Sequence, residues 1–224
     1  LTNAALTPLA VTLSTGQTIT IAAGATSGSV SIAAPADDVY LDAGSVSRRI
    51  SATTGGGFES LAVDTTPAVT TVSDTIDTTT VSITGDAVVA EGATAAYTVS
   101  LTSPAQTAVS VNLAYSGIAA DGSDFSGVAT VTIPAGASSA ALNIATLQDL
   151  LAEGAESFTV SIASAAGGNF ESLVISAATG AATTSITDDD TPALSVSSPS
   201  VGEGGFAVFT VALSNPSTTA VTFN

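Results

Sequence analysis

Apolar and polar residues alternate with a period of two along most of this chain. Tyr97, Val99 and Leu101 alternate with Thr98 and Ser100, and Val109, Val111 and Leu113 with Ser110 and Asn112. The same spacing recurs at Ala129, Val131 and Ile133, at Ala140, Leu142 and Ile144, and at Phe158, Val160 and Ile162. Val81 and Ile83 precede these runs, and the stretch from Leu173 to Ile186 follows them. A period of two is the mark of a strand with one buried and one wet face. Turn signals separate the runs: Ser103-Pro104, Asp121-Gly122, Pro134-Ala135-Gly136, Glu153-Gly154 and Gly167-Gly168-Asn169. Only Leu147–Ala152 has helical flavour, and it is too short to form a stable helix. About seven short strands in ~110 residues predict an all-β, immunoglobulin-like Greek-key sandwich.

The pattern repeats. Val89-Ala90-Glu91-Gly92 matches Val201-Gly202-Glu203-Gly204, and Tyr97-Thr98-Val99-Ser100-Leu101 matches Phe209-Thr210-Val211-Ala212-Leu213. Ile21-Ala22-Ala23-Gly24-Ala25 matches Ile133-Pro134-Ala135-Gly136-Ala137, and Gly57-Phe58-Glu59-Ser60-Leu61 matches Asn169-Phe170-Glu171-Ser172-Leu173. Each pair lies 112 positions apart. Such a period points to tandem sandwiches. We therefore expect residues 1–78 to be the back two-thirds of one repeat, 79–192 a complete one, and 193–224 the front strands of a third. The chain starts without Met or a signal peptide and is read as a segment of something longer.

Composition narrows the chemistry. The 224 residues hold 19 acids, two Arg, and no Lys, His or Cys, for a formal net charge of −17. Imidazole and thiolate catalysis, disulfides and the usual zinc and haem ligands are excluded. Two adjacent Arg do not make a basic footprint, so nucleic acid is not an expected partner. No run of ~18 apolar residues offers a membrane-spanning helix. Acid pairs hydrolyse glycosides only in clefts lined for sugar, and this chain has no Trp. Gly55-Gly56-Gly57 lacks the lysine and strand–loop–helix setting of a phosphate loop and reads as a hairpin turn. Phe58 and Phe170 read as plugs for the sandwich end. The expected class is a structural protein, not an enzyme. Hard oxygen ligands survive the screen, which favours Ca²⁺.

The acids lie mostly at turns. In the complete repeat Glu91 precedes the second strand, Asp121 and Asp124 follow the third, Asp149, Glu153 and Glu156 lie between the fifth and sixth, and Asp188–Asp190 follow the last. Alternate turns of a sandwich share one end, so these carboxylates gather at one pole. Their mutual repulsion calls for about two to four Ca²⁺, each taking 6–8 oxygens.

Glu91-Gly92, Ser123-Asp124-Phe125, Ile133-Pro134-Ala135-Gly136, Asp149-x-x-x-Glu153-x-x-Glu156-x-Phe158 and Ile186-Thr187-Asp188-Asp189-Asp190 together resemble a Calx-β domain over nearly all of the complete repeat. The resemblance implies Ca²⁺ ligands at Glu91, Asp124, Asp149, Glu153, Glu156, Asp188, Asp189 and Asp190. Gln148 stands where that family often has a second consecutive Asp, which implies fewer or weaker ions. The first part, through Ile19–Gly28, Ala36-Asp37-Asp38-Val39-Tyr40-Leu41-Asp42, Gly57–Leu61 and Ser73–Val81, resembles the immunoglobulin-like repeats of giant bacterial adhesins of the RTX type, exported by type I secretion. Its acids, Asp37, Asp38, Asp42, Asp74 and Asp77, form a poorer set, because Leu41 and Gly44 replace Glu153 and Glu156. Asp121 and Glu203 complete the weaker candidates.

The resemblance implies an extender or fibre segment on a bacterial cell surface, stiffened by Ca²⁺ at interdomain junctions. A Ca²⁺-dependent ligand- or glycan-binding adhesin module, or a surface-layer or sheath protein, is the alternative. Expected partners are neighbouring repeats or other copies of the chain, with residues 193–224 able to supply strands that 1–78 lack. Arg48 and Arg49 occupy the places of Val160 and Ser161, so one Arg would point inward unless the strand slips or the Arg pairs with an acid such as Asp42.

Overall fold

The computed structural model describes residues 1–42 and 44–222, and every helix-or-strand element among them is a strand. The chain divides into two compact units, Leu1–Ile76 and Asp77–Asn224.

In the first unit, β1 (Leu9–Leu13), β2 (Thr18–Ile21), β3 (Gly44–Arg48), β4 (Ile50–Gly55) and β5 (Ala68–Val72) form a three-stranded sheet β2-β1-β4 and a separate pair β3-β5. Its core is small: Ala5, Leu9, Val11 and Ile21, with Ile50, Phe58 and Leu61 partly buried against them.

The second unit holds β6 (Thr78–Gly85), β7 (Val88–Ala90), β8 (Thr94–Leu101), β9 (Val109–Gly117), β10 (Phe125–Ser126), β11 (Thr130–Ile133), β12 (Ser139–Thr146), β13 (Glu156–Gly167), β14 (Ser172–Ile175) and β15 (Ala181–Thr187), then β16 (Leu194–Val196) and β17 (Val211–Leu213). Two five-stranded sheets, β10-β12-β8-β6-β14 and β11-β9-β13-β15-β7, make the complete sandwich. The alternating residues fill it: Val81, Ile83, Val99, Val109, Val111, Ile133, Ile144, Phe158 and Val160 are all buried. Each such side chain contributes roughly 1.5–3 kcal/mol of transfer free energy. The three strands beyond the expected seven are short. β7 forms because the chain leaves the first sheet after Gly85 and pairs in parallel with β15 in the second. β14 pairs in parallel with β6, and β10 pairs antiparallel with the end of β12. Two to four residues are too few for alternation to announce a strand.

The two units are built on one plan. Asn112 and Leu113 face Ser164 and Ile162 across a bulge in the complete repeat, and Thr12 and Leu13 face Ala52 and Ile50 across the same bulge in the first unit. Gly24 N–H donates to the Ala5 carbonyl just as Gly136 N–H donates to that of Ala105. The 112-residue offset therefore holds for Ile21 and beyond, but Ala5, Leu9 and Val11 match Ala105, Val109 and Val111 at an offset of 100. The twelve missing residues come out of one loop. The first unit joins β1 to β2 by a tight turn around Gly16, where the complete repeat inserts the stretch from Ile118 to Ala129. The first unit thus begins further forward in the repeat than a uniform period suggests.

Around the two arginines the strand slips. A break at Arg49 separates β3 from β4, and Gly44 pairs with Val72. The matching pair in the complete repeat, Glu156 and Ile186, would put Gly44 opposite Asp74. Arg48 stays half-buried and Arg49 is exposed, with its backbone bonded to Ser14.

Candidate metal centre

Two stacked phenylalanines position the acids. Phe125 and Phe158 lie fully buried with ring centroids 4.3 Å apart, nearly parallel, and Tyr115 packs on Phe125 at 5.3 Å. Asp124 precedes the first ring by one residue, and Glu156 precedes the second by two. Packing the rings therefore brings Asp124, from the β9–β11 loop, next to Glu156 at the start of β13. Aromatic pairs of this kind contribute about 0.5–1.5 kcal/mol beyond area burial.

Asp124, Glu153 and Glu156 each offer a carboxylate oxygen within 4.8 Å of the others, and Glu91, Asp188, Asp189 and Asp190 form a second such group. Both groups contribute to one pocket, lined by Glu91, Asp124, Glu153, Glu156 and Asp188 together with Asp149. Asp149 is the one expected strong ligand outside the two groups. Its N–H donates to Glu91 Oε1 at 2.8 Å, and its own Oδ1 accepts the Leu151 N–H, closing an Asx-type turn.

Local backbone geometry explains the motifs. Gly92 has φ +69°, a left-handed conformation that favours glycine after Glu91, and a Cβ there would press on the Gln148 side chain. Glu91 N–H donates to the Thr187 carbonyl, tying the second strand's start to the terminal acids. Asp188 accepts N–H bonds from Glu153 (2.6 Å) and Asp190 (2.8 Å). Gln148 Nε2 donates to Asp189 Oδ1 at 3.1 Å, so the amide neutralises nothing but holds one carboxylate.

Crowding shows in the acidities. Burial, then the charges of Asp124 and Glu153, hold the Glu156 carboxyl above its ordinary value. Burial followed by Asp124 and Asp149 does the same for Glu153. Burial also raises Glu91, against the opposing Asp149 N–H bond, with Asp149, Asp188 and Asp190 adding to the rise. Asp190 is raised by desolvation and then by Asp188 and Asp189. Asp190 Oδ2 is a buried oxygen with no hydrogen-bond partner. A converging set of carboxylates with an unsatisfied buried oxygen, and no basic side chain nearby in sequence, fits a hard cation bound through oxygen.

The weaker candidates are placed differently. Asp121 is exposed and accepts the Gly127 N–H, which folds its loop back. Asp77 is exposed at the start of the second unit, its N–H bonded to Glu171. Glu203 is exposed and belongs to neither carboxylate group. In the first unit Asp37, Asp42 and Asp74 line one pocket. Desolvation and then Asp38, Asp74 and Asp37 raise the Asp42 carboxyl. Among the described residues these acids do not converge as the two groups above do.

Sequence reasoning missed the far side of the pole. Asn215 Nδ2 donates to Asp190 Oδ1 at 3.1 Å, Ala152 N–H donates to the Pro216 carbonyl at 2.9 Å, and Ala152 bridges to Ser217. The start of the third repeat thus touches the acidic loops directly. The signal was the Asn215-Pro216 turn, an ordinary strand-end feature that carries no mark of its contacts.

Among solved structures, the apo form of the Calx CBD1 domain is 23% identical over 50% of this chain and 98% of its own, with a TM-score of 0.43. CBD12 from CALX1.2 is 23% identical over 50% of this chain and 46% of its own, with a TM-score of 0.43. The calcium binding domain CBD12 of CALX1.1 is 27% identical over 47% and 42%, with a TM-score of 0.41. This chain spans under half the length of those last two. No curated protein matches it. The model of the LapA domain matches residues 1–75 and 77–189, and the chain belongs to the LapA domain family.

Proposed function

We propose that this chain is a non-catalytic extender segment of a bacterial cell-surface adhesin, of the type I-secreted RTX kind, whose junctions are stiffened by Ca²⁺. One observation carries the reading. Two carboxylate groups share a pocket at the pole of the complete sandwich where the chain passes into the next repeat, and Asn215 and Ser217 of that repeat touch the same loops. Glu91, Asp124, Glu153, Glu156 and Asp188–Asp190 hold the ions, with Asp149 at the rim of the same pocket. An ion there removes the repulsion within the pole and fixes the loops that Ala152 and Asp190 present to residues 215–217. Binding to the folded form stabilises it by mass action, so stiffness follows external Ca²⁺. Family membership in a tandem, all-β chain with a formal charge of −17 supports the extender role over a ligand-binding module.

Titration calorimetry tests the site, and small-angle scattering tests the stiffening. The reading expects saturable Ca²⁺ binding in about the 10⁻⁴–10⁻³ M range of extracellular modules. It also expects a longer, better-defined maximum dimension in Ca²⁺ than in EDTA. Absence of binding heat at millimolar Ca²⁺ overturns the site. Binding without any change in scattering overturns the stiffening.

A further inference from the structure

The first and last strands of the complete repeat run side by side and in the same direction along the sandwich. Thr78–Val81 of β6 pair in parallel with Ser172–Ile175 of β14. Val88–Ala90 of β7 pair in parallel with Ser185–Thr187 of β15. Both segments change sheets between these two pairings, and they stay bonded to each other while they do so. Ser176 N–H donates to the Val81 carbonyl at 2.9 Å, and Ile83 N–H donates to that of Thr179 at 2.8 Å. Thr184 Oγ1 then donates to the Asp86 carbonyl at 2.5 Å and bonds the Tyr97 hydroxyl, and Ser185 N–H donates to the Ala87 carbonyl at 2.9 Å. The result is one parallel seam between residues 78–91 and 172–187. Val81, Ile83, Val89, Thr184 and Ile186 are buried along it, which keeps water from replacing its bonds one at a time.

Chain order sets how tension meets this seam. The repeat is entered at β6 and left after β15, and the two segments are parallel, so entry and exit lie at opposite ends of the seam. A pull along a tandem array therefore draws β6 and β7 backward and β15 forward, along the strands. Bonds loaded lengthwise share the force and break together, whereas bonds at a peeled end break in turn. One carboxylate group sits at the exit end of the same seam. Glu91 is the first residue after β7, and Asp188 is the first after β15. Their carboxylate oxygens, with those of Asp189 and Asp190, lie within 4.8 Å of one another. Glu91 N–H also donates to the Thr187 carbonyl at 3.0 Å. A cation held there ties the first strand to the last. Asp124, Glu153 and Glu156 lie on or just before β10 and β13, so their group does not cross the seam.

We propose that this seam is the load-bearing clamp of the repeat, and that Ca²⁺ held between Glu91 and Asp188–Asp190 is its lock. The clamp stands on strand geometry alone, and the lock rests on the Ca²⁺ reading above. Forced unfolding is governed by the barrier to opening and not by equilibrium stability, so the clamp and the melting temperature can be moved separately.

Single-molecule force spectroscopy on the 224-residue chain tests both parts. Pulled through its ends, the complete sandwich should open in one step of about 350 Å, from roughly 3.3–3.6 Å per residue over 78–187 less the folded span. The chain has no cysteine, so Asp77→Cys with Ala166→Cys supplies a second pulling axis through two exposed positions at the entry end. In EDTA the end-to-end axis should need several times the force of the cysteine axis, which peels β6 away from its neighbours. Thr184→Val should lower the end-to-end force. Val111→Ala, buried in β9 away from the seam, should lower the melting temperature and leave that force near wild type. Equal forces along the two axes overturn the clamp, as does a force that merely follows melting temperature across the variants. In Ca²⁺ the end-to-end force should rise for wild type and stay unchanged for Glu91→Gln. Titration calorimetry on the same samples separates the failures. Ca²⁺ bound without a rise in force overturns the lock. Absence of binding heat overturns the Ca²⁺ reading and the lock with it, and the clamp is then decided by the EDTA forces.

Discussion

The first unit and the complete repeat share one plan and one bulge, yet among the described residues only the complete repeat gathers its acids into groups. Three differences account for this. The first unit lacks the loop that carries Asp121, Asp124 and Phe125. Val46 stands where Phe158 stacks, so no aromatic pair draws the acidic loops together. Leu41 and Gly44 replace Glu153 and Glu156. The comparison teaches that a carboxylate count is a poor guide to a metal site. Asp37, Asp38, Asp42 and Asp74 are as numerous as one group of the complete repeat, but they lack the apolar scaffold that makes carboxylates converge.

The comparison breaks most readily at that scaffold. Phe125→Ala removes a fully buried ring from a stack and should cost about 3–5 kcal/mol in urea unfolding. It should also weaken Ca²⁺ binding, because Asp124 loses its anchor. If binding survives the lost stability unchanged, the aromatic pair does not position the site.

Making the complete repeat resemble the first unit in charge comes next. Glu153→Gln with Glu156→Gln should weaken Ca²⁺ at least ~10-fold in titration calorimetry, equivalent to ~1.4 kcal/mol. The same change should raise the melting temperature in EDTA, since it relieves repulsion with Asp124. A double variant with unaltered affinity would move the site elsewhere.

Acidity sharpens the contrast further. Glu91, Glu153, Glu156 and Asp190 are raised in the folded protein above their ordinary values of 4.5 and 3.8. Raised carboxyls make the folded state bind protons more tightly than the unfolded one. That stabilisation is present below the ordinary values and is lost as pH climbs through the raised ones. Melting in EDTA should therefore rise as pH falls from neutrality toward 4.5. In Ca²⁺ the trend should reverse, because protons compete with the ion. Parallel pH curves in the two buffers would contradict the shared site.

The smallest change is Gln148→Asp. It adds a carboxylate beside Asp189 and should tighten Ca²⁺ about threefold, or ~0.6 kcal/mol, while lowering melting in EDTA. The substitution also removes the amide that donates to Asp189 Oδ1, so Gln148→Glu, which keeps the side-chain length, is the control for charge.

Much of the complete repeat was visible in the sequence because alternation and turn residues report faces and boundaries locally. The sandwich, its buried Val81, Val99 and Val160, and the turns bearing acids all follow from that pattern. The gathering of Glu91, Asp124, Glu153, Glu156 and Asp188–Asp190 at one pole followed from alternate turns of a sandwich sharing one end, whereas their roles as ligands came from the family resemblance. The stacking of Phe125 on Phe158 was invisible, because it joins residues from different strands with no spacing rule between them. The twelve-residue deletion in the first unit was hidden for a related reason. Alternation on either side of a loop is insensitive to the loop's length, so a period counted on Ile21 and Phe58 does not reveal that it fails at Leu9. Contacts of Asn215 and Ser217 with the pole depend on how one repeat docks on the next, which no single-strand pattern encodes.

The most direct measurement is thermal unfolding of the 224-residue chain by calorimetry in EDTA and in millimolar Ca²⁺, followed on wild type and on the Glu153→Gln, Glu156→Gln variant. If the converging carboxylates hold Ca²⁺, the transition of the complete sandwich moves up by several degrees in Ca²⁺ for wild type and by much less for the variant. A wild-type transition that stays at one temperature in both buffers would show that the acidic pole is a solvated surface.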